Sequence, residues 1–256
     1  MNSPKITVIT PSYNQVEFIE ESIRSVVEQD YYPIEYLIMD GGSKDGSVNI
    51  IREYAQKYPG IIKWRSGKDK GQVDALNRGL KLATGDIISY LNSDDYYLPG
   101  AFKMVNEYFS RYSNKLWLVG NCRVSDPKLS WTFFLKHIWP IDKIPWALYV
   151  YNTINQPAVF LRRGLVKKVG LFNPAYHYAF DYDYWLRCLK FGLPGRHFKD
   201  LAVFRVHSGS KGNRGYEAQF KEDLAVAHNY SSGKLILNLH SLATKFLTLK
   251  GYHMLK

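Results

Sequence analysis

Two adjacent carboxylates, Asp94 and Asp95, close the stretch Ala83-Thr-Gly-Asp-Ile-Ile-Ser-Tyr-Leu-Asn-Ser-Asp-Asp95, directly after a short apolar run from Ile87 to Leu91. Ionised carboxylates have no place in a packed core, because burying unpaired charge is expensive. They make chemical sense where a divalent cation sits between them and an anionic ligand, since hard cations favour carboxylate oxygens together with phosphates. Alone, the pair reads equally as an acidic turn. Other reactive groups are gathered at five further places in the chain. They are Thr10-Pro-Ser-Tyr-Asn14, Asp40-Gly-Gly-Ser43, Asp69-Lys-Gly71, Asp181 with Asp183, and His207 with Lys211.

The hydrophobic pattern supplies the elements that must position these groups. Ile6 to Ile9 is a β-branched strand that Pro11 is predicted to stop near Thr10, because proline cannot donate to a central ladder. Phe18, Ile19, Ile23, Val26 and Val27 then follow helical spacing, with Ser12 or Asn14 as candidate caps. A second strand ends at Asp40, where Gly41 and Gly42 let the backbone turn and approach a ligand closely. Ser43, Asp45 and Ser47 are candidate caps for the next helix, which carries Ile50, Ile51 and Tyr54. A third strand, Ile61 to Trp64, precedes an amphipathic helix over Asp69–Gly79. Alternating strands and helices predict an α/β chain with a mainly parallel sheet. In such sheets ligands bind beyond the carboxyl ends of the strands. Thr10 to Tyr13, Asp40 and Asp94–Asp95 therefore open onto one crevice. No Gly-x-Gly-x-x-Gly follows the first strand, which disfavours a dinucleotide-binding fold.

Six segments carry a family resemblance in order: Thr-Pro-Ser-Tyr-Asn at 10–14, Asp-Gly-Gly-Ser-Lys-Asp-Gly-Ser at 40–47, Asp-Lys-Gly-Gln-Val-Asp-Ala-Leu-Asn-Arg-Gly at 69–79, Ala-Thr-Gly-Asp at 83–86, Asn-Ser-Asp-Asp at 92–95 and Asp-Tyr-Asp-Tyr-Trp-Leu-Arg at 181–187. Over residues 5 to about 210 the chain resembles the family 2 glycosyltransferases. The resemblance implies a GT-A (Rossmann-like) fold, a mainly parallel sheet flanked by helices, and a nucleotide diphosphate sugar donor. It divides the chain into a catalytic domain, 1–215, and a helical C-terminal appendage, 216–256. Within the former, 1–100 is the nucleotide-binding half and 101–215 the acceptor-binding half.

The same resemblance implies roles. Thr10, Pro11 and Tyr13 shape the base site, and Asp40 accepts a hydrogen bond from a base N–H unless it is a turn or capping residue. Lys70 reaches the nucleotide or its phosphates. Asn92-Ser93-Asp94 stands where the family commonly has Asp-x-Asp, so an amide replaces the first acid. Asn92 can bond a ribose hydroxyl but is a poorer cation ligand. Asp94 is then the preferred ligand for Mn²⁺ or Mg²⁺, with Asp95 assisting or orienting and His207 completing the shell or touching phosphate. Lys211 neutralises the phosphates, and Gln156 contacts the acceptor or the donor sugar. Phe180 occupies the place of a family glutamate, whereas Asp181 matches the family's general base. Asp183 is a cap or an i,i+4 partner for Arg187. An inverting transfer to a saccharide or lipid-linked acceptor follows, in surface polysaccharide or glycolipid assembly. The rival enzyme class is a nucleotidyltransferase, disfavoured because its Gly-rich loop is missing. Asn92 and Phe180 are the two hints of a sugar-nucleotide-binding module with degenerate chemistry.

Charge agrees with an anionic partner: 34 basic against 23 acidic residues give a net charge of +11. Nucleoside diphosphates and anionic lipids fit that balance, and no nucleic-acid motif is present. Cys122 and Cys188 lack metal-ligand spacing and read as reduced structural thiols. With a strand starting at once and no apolar run near the 20 residues a bilayer requires, the expectation is a cytoplasmic enzyme. The aromatics between Trp131 and Tyr151 read mainly as core. The leucine- and lysine-rich tail, 234–250, is either a core-docking helix or a contact with the inner face of an anionic membrane.

Overall fold

Near-continuous apolar runs make strands that must be covered on both faces. Three of them, β1 (Ile6–Ser12), β2 (Ile34–Asp40) and β4 (Ile87–Tyr90), are buried at every residue. The computed structural model of the chain describes residues 3–125, 132–135, 147–150, 152–207, 209, 215–231, 233 and 237–242. Helices α1 (Ile19–Val27) and α2 (Ser47–Lys57) cover one face: Ile19, Ile23 and Ile51 pack with Val8 and Ile38. Helix α3 (Gln72–Leu82) covers the other, with Val73 and Leu76 against Ile9, Leu37 and Met39.

The remaining elements in chain order are β3 (Ile62–Ser66), β5 (Tyr96–Tyr97), α4 (Ala101–Arg111), β6 (Trp117–Ser125), β7 (Thr132–Leu135), α5 (Ala147–Val150), β8 (Val159–Arg162), α6 (Arg163–Val169), α7 (Phe180–Leu189), β9 (Gly195–Arg205) and α8 (Tyr216–Tyr230). Among the described residues one sheet of nine strands runs β3-β2-β1-β4-β8-β6-β9-β5, with β7 beside β6. Strands β1 to β4 are parallel where they pair, and β8 enters antiparallel between β4 and β6. The sheet is thus continuous over strands drawn from residues 6 to 205. Among the described residues no helix is long and apolar enough to cross a membrane.

Four local expectations change. β1 continues past Pro11, pairing Pro11 with Met39 and Ser12 with Asp40 of β2. The Ile9 carbonyl faces β4 (Leu91 N, 3.0 Å) and the Ser12 carbonyl faces β2 (Gly41 N, 2.8 Å). Pro11 therefore turns its missing N–H toward β4, whose pairing has already ended at Tyr90. The ladder loses nothing. Neither Ser12 nor Asn14 caps α1, which starts later, after Phe18, with no side-chain cap. The residue before α2 is Gly46, likewise without a cap bond, although Asp45 Oδ1 accepts from Ser47 N at 3.0 Å. β3 begins one residue later than the apolar pattern, at Ile62.

Cys122 and Cys188 are buried free thiols. Trp131, Trp139, Trp146, Tyr151, Lys211 and most of the 234–250 tail lie outside the described residues.

Candidate active site

At the carboxyl ends of β1 and β2 two loops are laced together. Asn14 adopts a left-handed conformation (φ 51°), accepts from Lys44 N on its Oδ1 (2.9 Å) and donates its own N–H to Ser43 Oγ (2.8 Å). Gln15 N and Val16 N reach Ser47 Oγ and Asp45 Oδ2. Asp40, buried at the end of β2, has its carboxylate filled from within. Gly42 N, Ser43 N and Ser66 Oγ all donate to Oδ2, at 2.9, 2.9 and 2.6 Å. Gly41 packs so close to the next loop that a Cβ there would meet the Asp69 carboxylate at 3.1 Å. Of the residues expected around a base, Tyr13 presents its ring, 62% exposed, while Thr10 is closed off and shares a hydrogen bond with the Tyr36 hydroxyl. Pro11 is buried, and Lys70 stands exposed with its N–H on Asp74 Oδ2.

The turn after β4 is built on amides. Asn92 Oδ1 accepts from Gln72 Nε2 (2.7 Å), and Asn92 Nδ2 donates to Gln156 Oε1 (3.1 Å) and Asp95 Oδ2 (3.3 Å). Gln156 Nε2 in turn donates to the Tyr90 carbonyl at 2.7 Å. Both amides expected to touch ligand are thus already bonded within the protein. An acid at position 92 would stand beside Asp95, which is 0% exposed and pushed well above the usual carboxylate range by burial and by Asp94. An amide avoids a second like charge there. Ser93 is also buried.

Arg205, at the end of β9, clamps this turn. Its N–H donates to Asp95 Oδ1 (2.9 Å), its guanidinium donates to the Asp94 carbonyl (3.0 Å) and pairs with Glu21 of α1, and it lies between the rings of Phe18 and Tyr96. The Asp95 carboxylate is therefore enclosed, accepting from Arg205 N and Asn92 Nδ2. Asp94 faces outward and meets His207, with Oδ2 to Nε2 at 3.1 Å; the His207 ring lies 4.4 Å from that of Phe18. These two donors suit a hard cation that takes its remaining oxygens from phosphate and water. Among the described residues no group of three or more His, Cys, Asp or Glu could hold a metal by itself.

Helix α7 carries two acids, Asp181 and Asp183, in its first turn. Its first residue, Phe180, packs beside Tyr90 at the end of β4, with ring centroids 6.3 Å apart. Asp181 is partly open, takes Tyr182 N on Oδ1 (2.6 Å), and with Asp95 acts electrostatically on the buried Tyr90 hydroxyl, whose pKa burial chiefly raises. Asp183 points elsewhere: it is buried and holds Arg187 Nε (2.9 Å) and the Tyr230 hydroxyl of α8 (2.8 Å). Helix α8 also supplies Glu222, whose carboxylate accepts the N–H groups of His177, Tyr178 and Ala179 leading into α7.

Residues 7–169 match the model of glycosyl transferase family 2. The chain belongs to that family. An uncharacterized glycosyltransferase of Rickettsia typhi is 28% identical over 216 residues, covering 82% of this chain and 67% of that protein. One of Rickettsia felis is 30% identical over 81% of this chain, which spans only 35% of its length. Among solved structures, the mannosyltransferase PcManGT of Pyrobaculum calidifontis, in complex with GDP-Man and Mn²⁺, aligns with TM-score 0.71 at 19% identity, covering 99% of this chain and 74% of its own. S. aureus TarS 1–349 in complex with UDP-GlcNAc aligns at 0.67 and 17%, covering 94% and 72%. The fold is that of the GT-A glycosyltransferases.

In this family 2 member several supports escape a linear reading. Arg205 had one signal, a cation inside the apolar run Leu201–Val206, since a buried arginine demands partners. Gln72 lies inside a quoted motif, yet only the fold shows it reaching Asn92. Glu222 had no local signal, being 43 to 45 positions from the groups it bonds.

Proposed function

We propose that this glycosyltransferase moves a sugar from a nucleoside diphosphate donor to an acceptor hydroxyl with inversion. The observation that carries the reading is the placement of Asp181 by α7 at the carboxyl end of β4, where the Asp94–His207 pair also opens. Family membership and the likeness to folds solved with UDP-GlcNAc and with GDP-Man support a nucleotide-sugar donor. Tyr13, Lys70 and the loops around Asp40 form the nucleotide side. Asp40 itself acts mainly by fixing the β2–α2 turn, since three donors already occupy its Oδ2.

In the reaction, a carboxylate oxygen of Asp181 takes the acceptor hydroxyl proton as the acceptor oxygen bonds to the anomeric carbon. The bond from that carbon to the phosphate oxygen breaks on the opposite side, and its electron pair leaves with the nucleoside diphosphate. An α-linked donor thus gives a β-linked product. Asp94 and His207 would hold a divalent cation, which when bound supplies positive charge to the diphosphate. The resemblance of His-Ser-Gly-Ser-Lys at 207–211 gives Lys211, outside the described residues, the role of neutralising the phosphates. The acceptor is a saccharide or lipid-linked sugar of the kind used in surface polysaccharide or glycolipid assembly.

Thermal shift with UDP, GDP, dTDP and CMP, each with Mn²⁺ or with chelator, tests the donor side. A ligand that binds only the folded chain raises Tm by mass action. One nucleoside diphosphate should raise it more with Mn²⁺ than with chelator. Equal shifts would remove the cation from the proposal, and no shift with any nucleotide would remove the donor.

A further inference from the structure

Segments 111–115, 167–168 and 190–199 together contain seven Lys or Arg and no Asp or Glu. They are the ends of α4, α6 and α7 and the start of β9, and the fold gathers them. Lys115 Nζ reaches the Pro194 carbonyl at 3.4 Å, Trp117 Nε1 donates to the Gly192 carbonyl at 2.9 Å, and Gly195 packs directly on Tyr108. Tyr108 lies against Tyr112, ring centroids 4.7 Å apart, and the Lys168 ammonium stands 5.9 Å from the Phe191 ring. Glu107 and the Arg123-paired Asp200 mark the border.

Large apolar side chains stand open among these cations. Phe198 is 73% exposed, and Tyr112, Phe191 and Leu193 are exposed too. Phe198 is turned out by a break in the ladder. Val119 pairs with Arg196 and Asn121 with Asp200, so three residues of β9 stand opposite Gly120 alone. Asn121 Nδ2 ties the bulge down through the Phe198 carbonyl at 2.6 Å, and the Arg196 guanidinium lies 4.7 Å from the Phe198 ring. Such bulges re-aim side chains.

We propose that this face docks the protein on an anionic membrane surface. Aromatic and leucine side chains that enter the headgroup boundary, ringed by cations whose stems reach back to the phosphates, are what such a surface binds. Seven positive charges without an acid are complementary to anionic lipid. The face lies at the amino ends of the strands: β6 begins at Trp117 and runs parallel to β9, and both run as β4 does because β8 is antiparallel to β4 and β6. The crevice, at the carboxyl ends, stays free.

Flotation of the full chain with phosphatidylcholine vesicles, with and without 30 mole per cent of phosphatidylglycerol (about a third anionic lipid, in the spirit of a charged leaflet), tests this without any donor or acceptor, so its outcome is separate from the transfer reaction. Binding to the anionic vesicles is expected, falling as salt shortens the Debye length. Phe191→Ser with Phe198→Ser, and separately Lys190→Glu with Lys199→Glu, should each lower the partition coefficient about tenfold or more while circular dichroism stays unchanged. Arg52→Glu with Lys103→Glu, the same charge change elsewhere, should lower it far less. The proposal is overturned if anionic vesicles do not float the protein, if the control pair loses as much as the patch pair, or if both patch pairs bind as wild type, which would assign binding to the tail.

Discussion

Asp181 and Asp183 stand two positions apart on α7, which turns them to different neighbours. Asp181 opens toward the end of β4, whereas Asp183 is held by Arg187 and Tyr230. Asp181→Asn should lower turnover about 10²-fold or more with nucleotide affinity near wild type, as loss of a general base does. Asp183→Asn should instead cost about 2 kcal/mol in urea unfolding, because it weakens charge-assisted bonds to a half-buried guanidinium. Reversed results would exchange the two roles. A third acid, Asp223 of α8, is buried, and burial first, then Asp181 and Glu222, raise its carboxyl well above the ordinary range. The folded chain thus keeps a proton that the unfolded chain releases near pH 3.9. That contribution to stability is complete below the unfolded value and is lost as pH rises toward the folded one. Asp223→Asn removes the dependence. Its Tm relative to wild type should climb as pH rises above the ordinary carboxylate range of about 4 in scanning calorimetry, and a constant difference would refute the shift.

At the scale of elements, the site depends on how closely α3 and α8 are seated. Gly79 of α3 lies on Ile9 of β1, and a Cβ there would overlap the Ile9 Cγ2 methyl. Gly79→Ala should cost about 1–3 kcal/mol by overpacking and disturb Gln72, one end of the amide chain through Asn92 to Gln156. Glu222→Gln should loosen the entry to α7, lowering Tm and turnover together with little change in nucleotide affinity; unchanged turnover would separate α8 from the acceptor side. The strands β1, β2 and β4 and the order of the first three helices were legible in the sequence because each follows from local apolar spacing. Pro11 misled because proline's cost depends on which neighbour its nitrogen faces, and that is set by where β4 ends. Asp40 was legible as a strand-terminal acid, but its saturation by Ser66 and the β2–α2 turn was not. Arg205, Gln72 and Glu222 were hidden for the same reason. Each acts across long stretches of chain, where no periodicity connects the partners.

For the whole molecule, the topology leaves β3 paired on one side only among the described residues, with β2. An open strand edge is a template on which other chains can add. Here the edge carries Lys63 and Arg65, both exposed, and its side facing α3 is lined by further cations, Lys68, Arg78 and Lys81, around a cavity of about 460 Å³. Two copies brought edge to edge would oppose like charges, which keeps the strand from recruiting a second molecule. Arg65, together with Lys63 in so far as Glu35 at 3.1 Å leaves its charge uncompensated, thus disfavours self-association through this edge. Lys63→Val with Arg65→Val should give concentration-dependent oligomers in analytical ultracentrifugation, first at high salt, where the remaining repulsion is screened.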